Sequence, residues 1–289
     1  MHQRHRATLV GCSAIAMWST LALLTTLSGV APPFLKVAIA FTVPSLGALA
    51  FWLWRGESVI GHLRQPWRVW LLGLVGLFGY HVFYFIAFAI APPVEASLIA
   101  YLAPLLIVLF SALLPGERLR WWHVAGAVLG LCGAVLVVSG GAWLAPRAEH
   151  LPGHLAALAC AVTWAGYSVL SRRFGEVPTD SVGGFCAATA ILAALSHLAF
   201  ETTAWPEGGE WLALLGLGLG PIGLAFFTWD HGVKRGDIKA LGALFYAAPV
   251  LSTLLLVLAG KAAPSGALGL ACLLVVAGAL LASRDLLRR

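Results

Sequence analysis

Charged residues are scarce in this chain. Asp, Glu, Lys and Arg make up 10% of its 289 residues, whereas 60% of the residues are hydrophobic. A soluble domain contains about 25% charged residues, so this chain has too little polar surface to cover one. The composition excludes an ordinary soluble fold and predicts an integral membrane protein, in keeping with a mean hydropathy of +0.91.

The usual signs of paired cysteines are also missing. The cysteines are odd in number, form no C-x-x-C pair and all lie inside apolar segments; they are Cys12, Cys132, Cys160, Cys186 and Cys272. Such cysteines behave as small buried hydrophobic residues. Neither a disulfide framework nor a metal site is predicted from them.

Catalytic motifs are absent as well. The sequence contains no Walker loop, no H-E-x-x-H, no G-x-S-x-G and no dinucleotide fingerprint, so no ATP hydrolysis, cofactor or metal is predicted. An intramembrane enzyme is disfavoured because no nucleophile, base and orienting group occur at a matched depth. The net charge of +6 does not indicate nucleic-acid binding, since the basic residues are spread through short loops.

Ten segments are long and apolar enough to cross the hydrocarbon core, which takes about 20 residues each. The sequence predicts them at 8–28, 34–54, 69–90, 94–113, 121–139, 153–172, 181–200, 211–232, 238–259 and 265–283. Arg4 and Arg6 before the first segment resemble the start of a signal peptide, but the length of that segment and its Trp18 favour a helix of the mature protein. The predicted fold is an all-α membrane protein without a soluble domain.

The sequence repeats itself at a spacing close to 145 residues. The matched residues are Trp18 with Trp164, Trp67 with Trp211, Gly76 with Gly220, Tyr101 with Tyr246 and Pro104 with Pro249. The repeat predicts two five-helix units, at residues 1–140 and 141–289. Because five is odd, the second unit is expected to enter the membrane with the opposite orientation.

Basic residues predict the orientation in the membrane. With the N-terminus in the cytoplasm, all Lys and Arg fall on the cytoplasmic side except Lys36, Arg147 and Lys261. This is the bias of the positive-inside rule. Both termini are therefore predicted to be cytoplasmic.

Polar and aromatic side chains at mid-membrane depth form a short set. Because polar groups are costly in hydrocarbon, those present are expected to face a cavity or a partner. We predict a substrate site formed by Trp18, Tyr80, His81, Tyr84, Tyr101, Trp164 and Tyr246. The alternatives are plain core packing for the aromatic residues and, for His81, burial against a neighbouring hydroxyl.

Other ionisable residues have simpler interpretations. His150 and His154 have metal-ligand spacing, but an exposed helix start without a metal is preferred. Glu95 is either an ordinary residue at a helix start or a proton-sensitive gate. Asp230 is predicted to form a structural ion pair with Lys234 rather than to couple protons.

These features resemble the EamA family of the drug/metabolite transporter superfamily across the whole chain. The resemblance rests on AIAMWST at residues 14–20, AVTWAGY at 161–167 and the paired Tyr-x-x-Pro helices. Within the family, RATLVG at 6–11 and YAAPVLS at 246–252 are similar to the YddG-type exporters of aromatic amino acids. Ala103 departs from some relatives, in which a larger residue precedes the proline.

The resemblance implies a bacterial inner-membrane exporter with ten helices around a central cavity. Its implied substrates are aromatic amino acids or an aromatic dication such as methyl viologen, without ATP use. We therefore predict a secondary transporter that exports aromatic amino acids or related aromatic metabolites by alternating access and functions as a monomer. The alternatives are an exporter of cationic drugs or other metabolites, which an acidic residue at the cavity centre would favour, and a membrane scaffold or receptor.

Overall fold

A computed structural model describes residues 2–141, 148–260, 263 and 265–287 of the chain. All regular elements in these ranges are helical, and nine helical spans within them are long and apolar enough to cross a membrane. These spans are Gln3–Leu27, Pro33–Trp54, Trp67–Ile90, Pro93–Leu113, Trp121–Ser139, Ala148–Arg173, Thr179–Phe200, Glu210–Arg235 and Ile238–Leu258. A shorter apolar helix, Gly266–Ala282, follows them.

Several spans consist of more than one helix. In chain order the helices are α1 (His2–Trp18), α2 (Leu21–Leu27), α3 (Pro33–Trp54), α4 (Val59–Leu63), α5 (Trp67–Leu74), α6 (Tyr80–Ile90), α7 (Pro93–Ala100), α8 (Leu102–Phe110), α9 (Trp121–Ser139), α10 (Leu151–Arg173), α11 (Val182–Phe200), α12 (Glu210–Leu219), α13 (Ala225–Arg235), α14 (Ile238–Leu244), α15 (Ala247–Leu258), α16 (Gly266–Ala282) and α17 (Arg284–Leu287).

The predicted segments agree with these spans to within a few residues. The largest differences are of five residues: the sixth span begins at Ala148 rather than at residue 153, and the first begins at Gln3 rather than at residue 8. Arg4 and Arg6 extend the helix without being apolar, so hydropathy alone places its start too late. Arg147, Lys261, Arg288 and Arg289, which entered the charge bias, lie outside the described residues.

The breaks inside the spans recur at equivalent places. The helix is interrupted at Tyr101 between α7 and α8, and again between α14 and α15 just before Ala247. Pro104 and Pro249 follow these breaks, and a proline cannot donate the backbone hydrogen bond that would continue the helix. Two π-helical turns, Val75–Gly79 and Gly220–Leu224, also begin 145 residues apart.

Helices from the first half of the chain pack mainly against helices from the second half. The closely packed pairs are α3 with α11, α9 with α16, α1 with α13, and α10 with α6. Glycines permit the closest approach: a Cβ at Gly126 of α9 would lie 2.5 Å from the Gly278 carbonyl oxygen of α16. The two halves are thus joined through backbone contacts that a larger side chain would block.

We expect Gly278→Leu to destabilise the fold, because its Cβ would lie 2.5 Å from the Gly126 carbonyl oxygen. Overpacking of this kind costs about 1–3 kcal/mol. The measurement is the thermal midpoint of the purified chain in detergent. Gly269→Leu on the same helix is the matched control, since a Cβ there meets no atom within 4 Å; equal midpoints for the two variants would contradict the prediction.

Candidate functional site

Trp18 and Trp164 meet inside the bundle. Their ring centroids are 5.4 Å apart and their planes are nearly perpendicular, which is a favourable edge-to-face arrangement. Trp18 ends α1 at a break in the first span, whereas Trp164 lies within the continuous helix α10. The structure therefore brings together two residues that the repeat placed at equivalent positions.

The tyrosines of the third span continue this arrangement. The ring of Tyr80 lies 5.5 Å from that of Trp164 and 6.1 Å from that of Tyr84, and His81 contacts Tyr80 at 5.4 Å. Nδ1 of His81 is 2.7 Å from the Leu77 carbonyl oxygen. A carbonyl oxygen only accepts, so Nδ1 carries the proton and Nε2 is left for another partner.

The two repeat-related tyrosines differ in position. Tyr101 is half-buried and packs against the group of buried residues that contains Tyr246; it also interacts electrostatically with Tyr80 and Tyr84. Tyr246 is fully buried, and its hydroxyl accepts a hydrogen bond from the backbone N–H of Leu105 at 3.1 Å. The structure thus places Tyr101 beside the other predicted site residues and Tyr246 in the packing between the fourth and ninth spans.

Four aromatic residues at this site were missed by the sequence reasoning. Trp229 lies 5.1 Å and Phe245 lies 5.0 Å from Trp18, while Phe226 links Trp18 to Phe41. The three-residue spacing of Phe226 and Trp229 indicates a shared helix face, but it does not show what that face meets. Further rings, including Tyr167, Phe85 and Phe88, contact the edges of this arrangement. We use the name ring cluster for its central members: Trp18, Phe41, Tyr80, His81, Tyr84, Trp164, Phe226, Trp229 and Phe245.

The indole N–H groups of Trp18 and Trp164 have different surroundings. Nε1 of Trp18 donates to the carbonyl oxygen of Pro221 at 2.9 Å. Pro221 lies in the π-helical turn Gly220–Leu224, where normal helical hydrogen bonding is interrupted. Nε1 of Trp164 is buried and has no hydrogen-bond partner in the described part of the chain. An unpaired buried donor is costly, so this N–H is suited to a bound acceptor.

One end of the bundle carries a network of charged side chains. Glu117 accepts hydrogen bonds from Arg172 at 2.9 Å, from Lys239 at 2.6 Å and from Arg4 at 3.4 Å. Arg4 also pairs with Asp237 at 3.0 Å. We call these five residues the charge network. It ties the loop after the fourth span to the first, sixth and ninth spans.

Fewer ionic contacts join the halves at the opposite end of the bundle. His154 lies 2.7 Å from Glu95, which links the sixth span to the fourth. In the part of the chain that the structure describes, the group with metal-ligand spacing is Glu57, His62 and Asp180, not the pair of His150 and His154. The predicted ion pair near the end of α13 is present, with Lys234 Nζ 2.8 Å from Asp230 Oδ2.

The sequence also matches a known protein family. The sequence profile of the EamA-like transporter family matches residues 5–139 and 151–284. The chain belongs to this family. Membership in a transporter family, together with the apolar spans, makes it a multi-pass membrane protein of the transporter class. The two matched ranges together cover most of the chain.

Individual relatives are similar along their whole length. The "Aromatic amino acid exporter YddG" of Ancylobacter novellus is 60% identical over 283 residues, covering 97% of this chain and 98% of the relative. A protein of the same name from Salmonella typhimurium is 26% identical and covers 86% of this chain and 87% of the relative. A crystal structure with 59% identity matches with a TM-score of 0.93 over 99% of this chain and 100% of that chain.

Proposed function

We propose that this EamA-family transporter exports aromatic amino acids across the bacterial inner membrane as a secondary transporter. The observation that carries the proposal is the ring cluster between the two halves, with its unpaired Trp164 N–H. The name of the relative that is 60% identical agrees with this substrate class.

The chemistry of the ring cluster suits an aromatic amino acid. The faces and edges of Trp and Tyr rings favour offset or edge-on packing against another aromatic ring. The same faces attract an ammonium group, and the Trp164 N–H is available to donate to a carboxylate. We assign substrate contact to Trp18, Tyr80, His81, Tyr84, Tyr101 and Trp164. Tyr246 belongs to the predicted site as a residue that holds the fourth span in place.

We further propose ten spans in two inverted units, residues 1–140 and 141–289. The 17-residue helix α16 is the tenth span, and the equivalent breaks at Tyr101 and before Ala247 support the repeat. Two of the packed pairs are also equivalent in the repeat. In the pair of α1 with α13 and the pair of α10 with α6, α1 corresponds to α10 and α13 corresponds to α6. Five spans per unit require opposite insertion. The charge bias then places both termini and the charge network in the cytoplasm.

Alternating access follows from this arrangement. The charge network holds the two halves together at the cytoplasmic end, so its separation is the step that opens the site to the cytoplasm. At the other end the described residues link the halves through Glu95 with His154 and through Glu201, which accepts from the backbone N–H groups of Phe34 and Leu35. The protein is proposed to work as a monomer because one chain supplies both halves around the site.

Export of cationic drugs is the rival function. A dication is best held by a carboxylate, because burying its charge without a partner is costly. The ring cluster is made of Trp, Tyr, Phe and His side chains, and its contacts favour a zwitterion whose two charges offset one another.

Counterflow of labelled phenylalanine in proteoliposomes tests the proposal. We expect unlabelled Phe, Tyr and Trp to compete for flux and the small aliphatic and the acidic amino acids to compete weakly. Tyr101→Ala is expected to lower phenylalanine flux about tenfold, since it removes a ring and a hydroxyl from the site. Tyr101→Phe, which restores the ring, should recover most of the flux. Unchanged flux in Tyr101→Ala at normal expression would remove this residue from the site.

A further inference from the structure

A groove lies on the outer surface of the bundle, away from the ring cluster. It has a volume of about 360 Å³ and runs between α3 and the eighth span. Its walls include Pro44, Gly47 and Phe51 on one side and Leu219, Gly223 and Leu224 on the other. Phe51, Leu219 and Leu224 are exposed. The groove therefore opens toward the bilayer, where the surrounding groups are lipid acyl chains.

The length of the groove matches one leaflet of a bilayer. Its α3 wall extends from Val43 to Trp52, which at 1.5 Å per residue is about 14 Å. Half of the hydrocarbon core is about 15 Å thick. An acyl chain lying in the groove would therefore reach from mid-membrane to the headgroup level at Trp52.

The polar end of the groove has a carboxylate without a cation. Asp180 lines the groove at the start of the seventh span. Within the described residues, its neighbours Glu57 and His62 pair with one another at 2.8 Å, and Arg55 pairs with Glu57. No Lys, Arg or His of the described residues forms an ion pair with Asp180; a ring nitrogen of His62 lies within 4.8 Å of its carboxylate, but His62 already pairs with Glu57. This carboxylate is therefore suited to an ammonium group from outside the chain.

A buried donor in the groove wall also lacks an acceptor. Trp52 lines the groove and is 4% exposed, yet its Nε1 has no hydrogen-bond partner among the described residues. A buried donor without an acceptor is costly. A phosphate or ester oxygen of a lipid headgroup would supply the missing acceptor.

We propose that the groove is a binding site for one phosphatidylethanolamine molecule. An acyl chain lies between α3 and the eighth span, the primary ammonium pairs with Asp180, and Trp52 donates to a headgroup oxygen. A primary ammonium donates hydrogen bonds to a carboxylate, whereas the quaternary ammonium of phosphatidylcholine has no N–H to donate. Phosphatidylglycerol carries no ammonium. The site thus selects the headgroup by charge and by hydrogen bonding.

Native mass spectrometry of the purified chain with added lipid tests the proposal without a transport assay. The lipids are phosphatidylethanolamine, phosphatidylcholine and phosphatidylglycerol with the same acyl chains. We expect one phosphatidylethanolamine to bind about tenfold more tightly than the other two, and Asp180→Asn to remove that preference. Glu176→Gln, an exposed carboxylate in the preceding loop, is the matched control and should retain it.

A second variant separates the groove from the headgroup contact. A side chain at Gly47 meets no atom within 4 Å, so Gly47→Leu fills the groove without disturbing the packing. We expect it to weaken binding of all three lipids, whereas Gly269→Leu, which is equally unhindered, should not. Equal binding of the three lipids to the unaltered chain, a retained preference in Asp180→Asn, or unchanged binding in Gly47→Leu would each overturn the proposal.

Discussion

Trp164→Ala is expected to reduce phenylalanine flux by about ten- to a hundred-fold. The substitution removes the ring that contacts both Trp18 and Tyr80, and with it the unpaired indole N–H. An aromatic contact contributes about 0.5–1.5 kcal/mol beyond its buried area, and a hydrogen bond contributes a similar amount. Together these losses correspond to the stated range. The measurement is initial-rate counterflow in proteoliposomes at matched protein density.

Two further variants make this result interpretable. Trp205→Ala is the matched control, because Trp205 is 63% exposed and stacks on Trp211 outside the ring cluster; its flux should equal that of the unaltered chain. Trp164→Phe keeps a ring and removes only the N–H. Because Phe has no N–H to donate to the substrate, the phenylalanine flux of Trp164→Phe should be about tenfold lower than that of the unaltered chain. Full flux in Trp164→Ala would contradict the site assignment.

Glu117→Gln is expected to open the cytoplasmic end of the transporter. The Glu117 side chain is 8% exposed and is shared by Arg4, Arg172 and Lys239. Without its negative charge, three cations face one another with only Asp237 nearby. Breaking a buried ion pair costs about 3–5 kcal/mol, so the ratio of closed to open molecules should fall by about two to four orders of magnitude.

Accessibility measurements check this expectation. A membrane-impermeant thiol reagent added on the cytoplasmic side should label a cysteine at the ring cluster faster in Glu117→Gln than in the parent. The exposed carboxylate of Glu176 provides the control, since Glu176→Gln changes the local charge equally outside the network. An equal labelling rate in both variants would show that the charge network does not hold this end closed.

The sequence was most informative where chemistry limits the alternatives. Trp18 and Trp164 were predicted to avoid lipid because an indole N–H is unsatisfied in hydrocarbon, and the structure places both in the interior of the bundle. Pro104 and Pro249 were matched in the repeat; proline removes a backbone donor, and the helices are broken close to both residues. In each case one residue type carries a consequence that few environments satisfy.

Contacts between distant segments could not be predicted in the same way. Glu117 gave no local signal, because its cationic partners are supplied by three other spans. Tyr101 and Tyr246 looked equivalent in the repeat, yet Tyr101 is half-buried and interacts electrostatically with Tyr80, whereas Tyr246 is fully buried and bonds to the Leu105 backbone. The two halves share a pattern of breaks but differ in side chains, so sequence symmetry does not determine which copy faces the site.

In the proposed mechanism, one site between the two halves is reached alternately from either side of the membrane. Tyr101→Cys in a chain without its native cysteines, sealed in vesicles, tests it most directly with an impermeant thiol reagent applied to one side at a time. We expect labelling from both sides, protection by phenylalanine but not by alanine, and a shift toward cytoplasmic labelling when Glu117→Gln is added. Labelling from one side only, or labelling that phenylalanine leaves unchanged, would contradict it.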